Sequence, residues 1–216
     1  GRVNKPIIVL KFGSSVLRTA ADLPRAVHEI FRYTRDGFGV IAVVSAFDGV
    51  TDRLLAQARA LGAEPERGTG ISGLAALVAS GERETAASLQ IALSRAGLPA
   101  NVVDPLAAGL RVVGGGLEGS PVDLAADRLV SLLDLGRILV VPGFFGSDAD
   151  GGVSLLGRGG SDWTALFLAQ RLGARCRLLK DTDGIYERDP NGEGEAPLRF
   201  ERLHFEEALA LHAPVV

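Results

Sequence analysis

Three uninterrupted apolar runs constrain this chain more than any other feature. They are Ile7-Ile8-Val9-Leu10, Val40-Ile41-Ala42-Val43-Val44 and Ile138-Leu139-Val140-Val141. A strand made from such a run has no polar face to offer water. It must be covered on both sides, which is the condition of a central strand in a parallel sheet. Arg177-Leu178-Leu179 and Asn101-Val102-Val103-Asp104 read as shorter strands. Between the strands, apolar residues recur at helical spacing. They are Ala26, Val27, Ile30 and Phe31, stopped at Gly37, and then Leu54, Leu55, Ala58 and Leu61, with Thr51 able to cap. A long stretch from about Leu74 to Ala96 contains Gly81 and closes at Gly97. Leu124, Ala125, Leu129 and Leu132 stop at Gly136, and Ala165, Leu166, Leu168, Ala169 and Leu172 follow a start near Ser161. Strands alternating with helices predict an α/β chain with a mainly parallel sheet and helices on both faces. Residues 62–70 read as a loop, Arg111 to Pro121 as a glycine-rich surface excursion and Ser147 to Gly152 as a hairpin turn.

Composition narrows the function classes. The chain has 216 residues and is 47% hydrophobic, enough to bury the core of one α/β domain. Its net charge is -3 and it carries no long basic run, so nucleic acid is not an expected partner. Cys176 is the only cysteine, which leaves no internal disulfide and makes a reducing cytoplasm the expectation. No apolar run approaches the ~20 residues of a membrane helix, and the N-terminus lacks a signal-peptide pattern. The chain contains no methionine and runs from Gly1-Arg2 to Pro214-Val215-Val216, so a piece of a longer polypeptide is expected.

In open α/β sheets ligands sit beyond the carboxyl ends of the strands, so the residues just after each strand carry the functional argument. Lys11-Phe12-Gly13-Ser14-Ser15 can meet a polyphosphate with an ammonium and small-residue backbone N–H groups, or can be a surface lysine before an ordinary turn. Ser45 and Thr51 can hydrogen-bond a carboxylate or phosphate, or Thr51 can simply cap the next helix. Gly81, inside a helical stretch, costs about 1 kcal/mol against alanine and points to a break or a close approach. Glu82 beside it can accept from a substrate ammonium, or can belong to a solvated Arg/Glu pair. Gly157-Arg158-Gly159-Gly160-Ser161-Asp162 is the sharpest signal. Glycines there free the backbone, a helix N-terminus offers N–H groups to an anion, and Arg158 can hold a carboxylate by a bidentate pair. Asp162 can orient a phosphate-bound lysine or Mg²⁺. The bland alternative is a turn with Ser161 as N-cap. Lys180-Asp181-Thr182-Asp183-Gly184-Ile185-Tyr186, closing at Asp189-Pro190, can frame a nucleotide or form a polar turn. His28, His204 and His212 show no ligand spacing.

The order of these blocks resembles aspartate kinases, a branch of the amino-acid kinase superfamily, over roughly residues 7–213. The resemblance rests on Lys-Phe-Gly after the first strand and Val-Ser-Ala-x-x-Gly-x-Thr-Asp after the second. Ser-Gly-Glu-Arg, Gly-Arg-Gly-Gly-Ser-Asp and Asp-x-Asp-Gly-Ile-Tyr-x-x-Asp-Pro complete it. It implies a three-layer α/β/α sandwich with a substrate lobe at about 1–135 and a nucleotide lobe at about 136–216. It also implies transfer of the ATP γ-phosphoryl to the side-chain carboxylate of L-aspartate, with Mg²⁺ on the phosphate oxygens and no protein metal site. In that scheme Lys11 and Asp162 are catalytic, and Ser45, Thr51, Glu82, Arg158 and Ser161 hold the amino acid. Gly13, Ser14, Gly159, Gly160, Lys180, Asp181, Asp183, Gly184 and Tyr186 lie along ATP. A homodimer is expected, as are regulatory ACT or homoserine dehydrogenase domains outside this chain. The turn Gly13-Ser14-Ser15-Val16 is one residue shorter than the family's usual Gly-Gly-Thr-Ser-Val, and the family's Gly-Ala-Lys-Val-Leu-His-Pro segment is not visible. Two alternatives follow: a superfamily kinase for acetylglutamate, glutamate or UMP, and a non-catalytic domain regulating a fused partner.

Overall fold

The structure is a computed structural model that describes residues 5–157 and 159–180. Among these residues the main sheet has five strands in the order β3-β6-β2-β1-β9, all paired parallel. In chain order the elements begin β1 (Ile7–Phe12), α1 (Leu23–Arg35), β2 (Gly39–Val44), α2 (Val50–Ala60) and α3 (Ile71–Arg95). They continue with β3 (Ala100–Val102), β4 (Arg111–Val113), β5 (Ser120–Asp123), α4 (Ala126–Asp134) and β6 (Ile138–Pro142). The last are β7 (Phe145–Ser147), β8 (Val153–Leu155), α5 (Gly160–Leu172) and β9 (Arg175–Leu179).

The period of two along each strand sorts the core into two layers. Ile8, Leu10, Phe12, Val40, Ala42, Val44, Ile138 and Val140 face one way, with Ala26 and Ile30 of α1 and Ala86, Leu89 and Leu93 of α3. Val9, Ile41, Val43, Leu139 and Val141 face the other, with Leu129 and Leu133 of α4 and Ala165, Leu168 and Ala169 of α5. The central strands are thus apolar on both faces because both faces are covered, and the α/β/α layering follows.

Four local expectations change. Residues 111–121 are mostly exposed or half-buried, but they are not irregular. They hold β4 and β5, which join β7 and β8 in a second, four-stranded sheet of order β5-β4-β7-β8. Three-residue strands separated by glycines carry too little periodicity to be read from sequence. Leu61 is 77% exposed, since α2 ends at Ala60 and Leu61 is its C-cap. Phe31 is 44% exposed, and α1 buries Tyr33 and Glu29 instead. Thr51 does not cap α2, because Gly49 occupies that position with φ 75°, a left-handed conformation that costs glycine little. No helix among the described residues is long and apolar enough to cross a membrane.

Candidate active site

Parallel register brings the candidate residues to one rim. Phe12 pairs with Val44 and with Leu179, and Val44 pairs with Pro142. These four strand ends are level, so Gly13, Ser45, Gly143 and Lys180 leave the sheet along one edge. Side-chain direction then follows from strand parity. Lys11 and Ser45 share the parity of Val9 and Val43, so both turn toward the layer that contains α5. The first turn of α5 meets them there.

Lys11 Nζ lies 2.6 Å from Asp162 Oδ1, with the lysine side chain only 12% exposed. The hydroxyls of Ser45 and Ser161 are hydrogen-bonded to each other. Glycines make both approaches possible. A Cβ on Gly13 would lie 2.8 Å from Lys11 Nζ, so glycine lets the ammonium lie back over the turn. A Cβ on Gly143 would stand 2.5 Å from that of Ser161, so only glycine admits the start of α5 so close to β6. Gly159 caps α5 with φ 90°, in place of the alternative that gave Ser161 that role. Ser161 sits inside the first turn, and its hydroxyl is released for Ser45.

The bend after β6 is strained. Phe144 has φ 79°, a region that bulky residues seldom adopt. Its N–H donates to Thr164 Oγ1 at 2.9 Å, and Thr164 is fully buried. Its ring would lie 3.1 Å from a Cβ on Gly160, so glycine there leaves the ring its place. Thr164 therefore holds the bend that seats the α5 N-terminus. Its threonine, one turn into an apolar helix, gave no such signal in sequence.

Glu82 enters from the opposite layer. The long helix α3 runs unbroken through Gly81, so the glycine marks a close approach and not a break. A Cβ there would lie 3.0 Å from Leu54 and Val50 of α2 and 3.3 Å from Ala46. This contact presses α3 onto the turn after β2. Glu82 is 3% exposed, which removes the solvated Arg/Glu alternative. Its neighbour Arg83 turns away to Asp104 at 2.6 Å and lies over the Phe145 ring. The Ala46 backbone N–H donates to the Glu82 carboxyl, while Oε2 has no hydrogen-bond partner among the described residues. Burial pushes this carboxyl up to about 8, against the Ala46 N–H and the Lys11 ammonium, which both pull it down.

Thr51 is half-buried in the first turn of α2, and Ser14 is exposed on the turn after β1. Lys180 is exposed directly beyond β9. Arg158, Asp181, Asp183, Gly184 and Tyr186 lie outside the described residues, as do His204 and His212. Exposed His28 on α1 has no part in the site. Among the described residues no group of three or more His, Cys, Asp or Glu could hold a metal ion. The residues present suit a polyphosphate. A lysine ammonium, a glycine turn and a helix N-terminus supply positive charge and N–H groups at one rim.

A family model, the amino acid kinase family, matches residues 6–213. An aspartokinase of Pseudomonas aeruginosa is 34% identical over 211 residues, covering 95% of this chain and 49% of the relative. An aspartate kinase of Stutzerimonas stutzeri is 32% identical over 206 residues, again covering 95% and 49%. The chain thus spans about half the length of the curated relatives it matches. Among solved structures, E. coli aspartokinase III in complex with aspartate and ADP superposes with a TM-score of 0.72 at 26% identity, over 85% of this chain and 51% of that one. An isopentenyl phosphate kinase shares the fold at TM-score 0.63 and 20% identity, over 94% and 88%. With its parallel sheet, its glycine-lined rim and a family match over nearly its whole length, this chain belongs to the amino acid kinase family.

Proposed function

We propose that this chain is the catalytic domain of an aspartate kinase, transferring the γ-phosphoryl of ATP to the side-chain carboxylate of L-aspartate. The observation that carries the reading is the meeting of Lys11, Asp162, Ser45, Ser161 and Glu82 at one rim. It is supported by the likeness to aspartokinases over 95% of the chain.

The two layers divide the work. On the α5 side, Lys11 neutralises charge that spreads over the transferring phosphoryl, and Asp162 fixes where that ammonium points. The N-terminus of α5, freed by Gly159 and Gly160, faces phosphate oxygens with its N–H groups. Ser45 and Ser161 orient the acceptor carboxylate, and Arg158 takes the other carboxylate of the amino acid. On the α3 side, Glu82 accepts from the substrate ammonium. Lys180, at the end of β9, leads into Asp181, Asp183, Gly184 and Tyr186 along the nucleotide. Mg²⁺ bound to the phosphate oxygens supplies further charge neutralisation. No covalent enzyme intermediate is needed, because positioning and charge neutralisation supply most of the barrier reduction.

Incubation with Mg-ATP and L-aspartate in the presence of hydroxylamine should yield aspartyl hydroxamate. ATP binding without hydroxamate from any acidic amino acid would refute the assignment. Lys11→Ala should lower turnover about 10²–10³-fold, the loss typical of one preorganised charge donor, with the fold intact by circular dichroism. Unchanged turnover would remove Lys11 from the site.

A further inference from the structure

Glu82 is a buried carboxyl with one backbone donor, and its surroundings are specific. From β1, Lys11 is the charged side chain that acts on it, and that ammonium is already engaged by Asp162 of α5 at 2.6 Å. From α2, the contacts beside Gly81 are the apolar Val50 and Leu54. From the turn after β2 comes the Ala46 N–H. Within α3, Arg83 is committed to Asp104, and the Thr85 hydroxyl donates back to Gly81 O at 3.4 Å. Nothing among these partners supplies a positive charge in contact with Oε2. An ionised carboxylate in that setting carries a desolvation cost that one N–H and a shared lysine do not offset.

We propose that Glu82 is protonated when no amino acid is bound and releases its proton to solvent when a substrate ammonium group arrives. Amino-acid binding is then an exchange of one proton for one ammonium ion. The inference rests on the aspartate-kinase reading for the identity of the ligand, and on the burial and unpartnered Oε2 of Glu82 for the exchange. The exchange balances. A neutral carboxylic acid and a substrate ammonium become a carboxylate–ammonium pair, and the proton goes to buffer. Charge in the pocket is unchanged by the arrival of the cation, so a buried site takes in an ammonium group without gaining net charge. A dicarboxylic acid lacking the amino group has no means of driving the exchange.

Protein labelled with ¹³C at glutamate carboxyls provides the test, with the Glu82 signal assigned by its loss in Glu82→Gln. It is titrated from about pH 5 to 9.5 with and without saturating L-aspartate. Calorimetry at pH 7, in buffers of different ionisation enthalpy, counts protons released on binding. A carboxyl titrating at about 8 is some 90% protonated at pH 7, so about 0.9 proton per aspartate is expected. Succinate should release none, and Glu82→Gln should release none with aspartate. The aspartate Kd should fall close to tenfold between pH 6 and 7 and flatten above 8. The calorimetry and the Kd profile need only the unmodified protein, so a poorly folding variant does not blunt the test. A Glu82 signal titrating in the ordinary carboxylate range without ligand would overturn the proposal. Aspartate binding with no proton release would remove the exchange alone and leave the kinase reading standing. A high-titrating Glu82 with no aspartate binding would remove the substrate reading, and the exchange with it.

Discussion

Glu29 and Glu82 are two helical glutamates with the same 3% exposure, and they are treated in opposite ways by their surroundings. Glu29, on α1, accepts from Arg177 of β9 at 2.7 Å and from Arg32 at 3.2 Å, and Arg177 also donates to the Tyr33 hydroxyl at 2.9 Å. Glu82, on α3, has the Ala46 N–H and a lysine already paired to another carboxylate. Burial alone therefore says nothing about role. A buried charge whose partners are supplied by the fold ties elements together, here α1 to β9. One whose partners are missing keeps its capacity for a ligand. Tyr33, beside Glu29, is itself buried. Burial raises the Tyr33 phenol above its ordinary value, although Arg177 pulls it down.

The same substitution at the two positions should break or sharpen this contrast. Glu29→Gln leaves Arg177 without a charge partner in a largely buried place. It should lower unfolding free energy by roughly 3–5 kcal/mol in urea titrations at neutral pH. A loss well under 1 kcal/mol would mean that the α1–β9 cluster is not structural.

Glu82→Gln should act in the other direction, with a size set by pH. In the folded chain the Glu82 carboxyl holds its proton up to about 8, against 4.5 as an ordinary carboxyl. Below about 4.5 both folded and unfolded states hold the proton, and the stabilising contribution is present in full. Between those values the unfolded chain sheds its proton while the folded one retains it, so stability declines as pH rises and the contribution is gone above about 8. The glutamine variant cannot follow that decline. It should match the parent near pH 4.5 and exceed it near pH 8 by an amount on the order of a few kcal/mol. Parallel pH profiles for the two proteins would show that Glu82 titrates normally.

Tyr33→Phe is the smallest test. It removes one hydrogen bond to Arg177 and keeps the ring, whose edge packs on Phe38 at 5.7 Å between centroids. A loss of about 1 kcal/mol is expected, because Arg177 retains Glu29. A loss as large as that of Glu29→Gln would place the weight of the cluster on the phenol.

Much of the frame was legible from sequence because its signals are local. β1, β2 and β6 were plain as apolar runs, and α5 as an apolar face following a glycine block. The second sheet was not. β4, β5, β7 and β8 are three or four residues long and gain their identity from pairing partners, not from their own pattern. Glu82 was legible as a candidate through Gly81. Its burial was not, since that depends on how α3 meets the turn after β2 and the end of β1, which bring the Ala46 N–H and Lys11 to it.

Sequence by itself determined which residue types are available at the end of each strand: a lysine in the last pleat of β1 and a glycine after it, a serine after β2, a glycine after β6 and a glycine-serine-aspartate start to α5. Those are properties of short segments, where hydrophobic period and turn chemistry act within a few residues. Only the tertiary structure decided that Lys11 pairs with Asp162, that Ser45 meets Ser161, and that one Glu82 oxygen is left without a hydrogen-bond partner among the described residues. Each depends on parallel register, strand parity and glycine-permitted approach between segments up to 151 positions apart along the chain, from Lys11 to Asp162. No local preference encodes such a distance, and packing sets it.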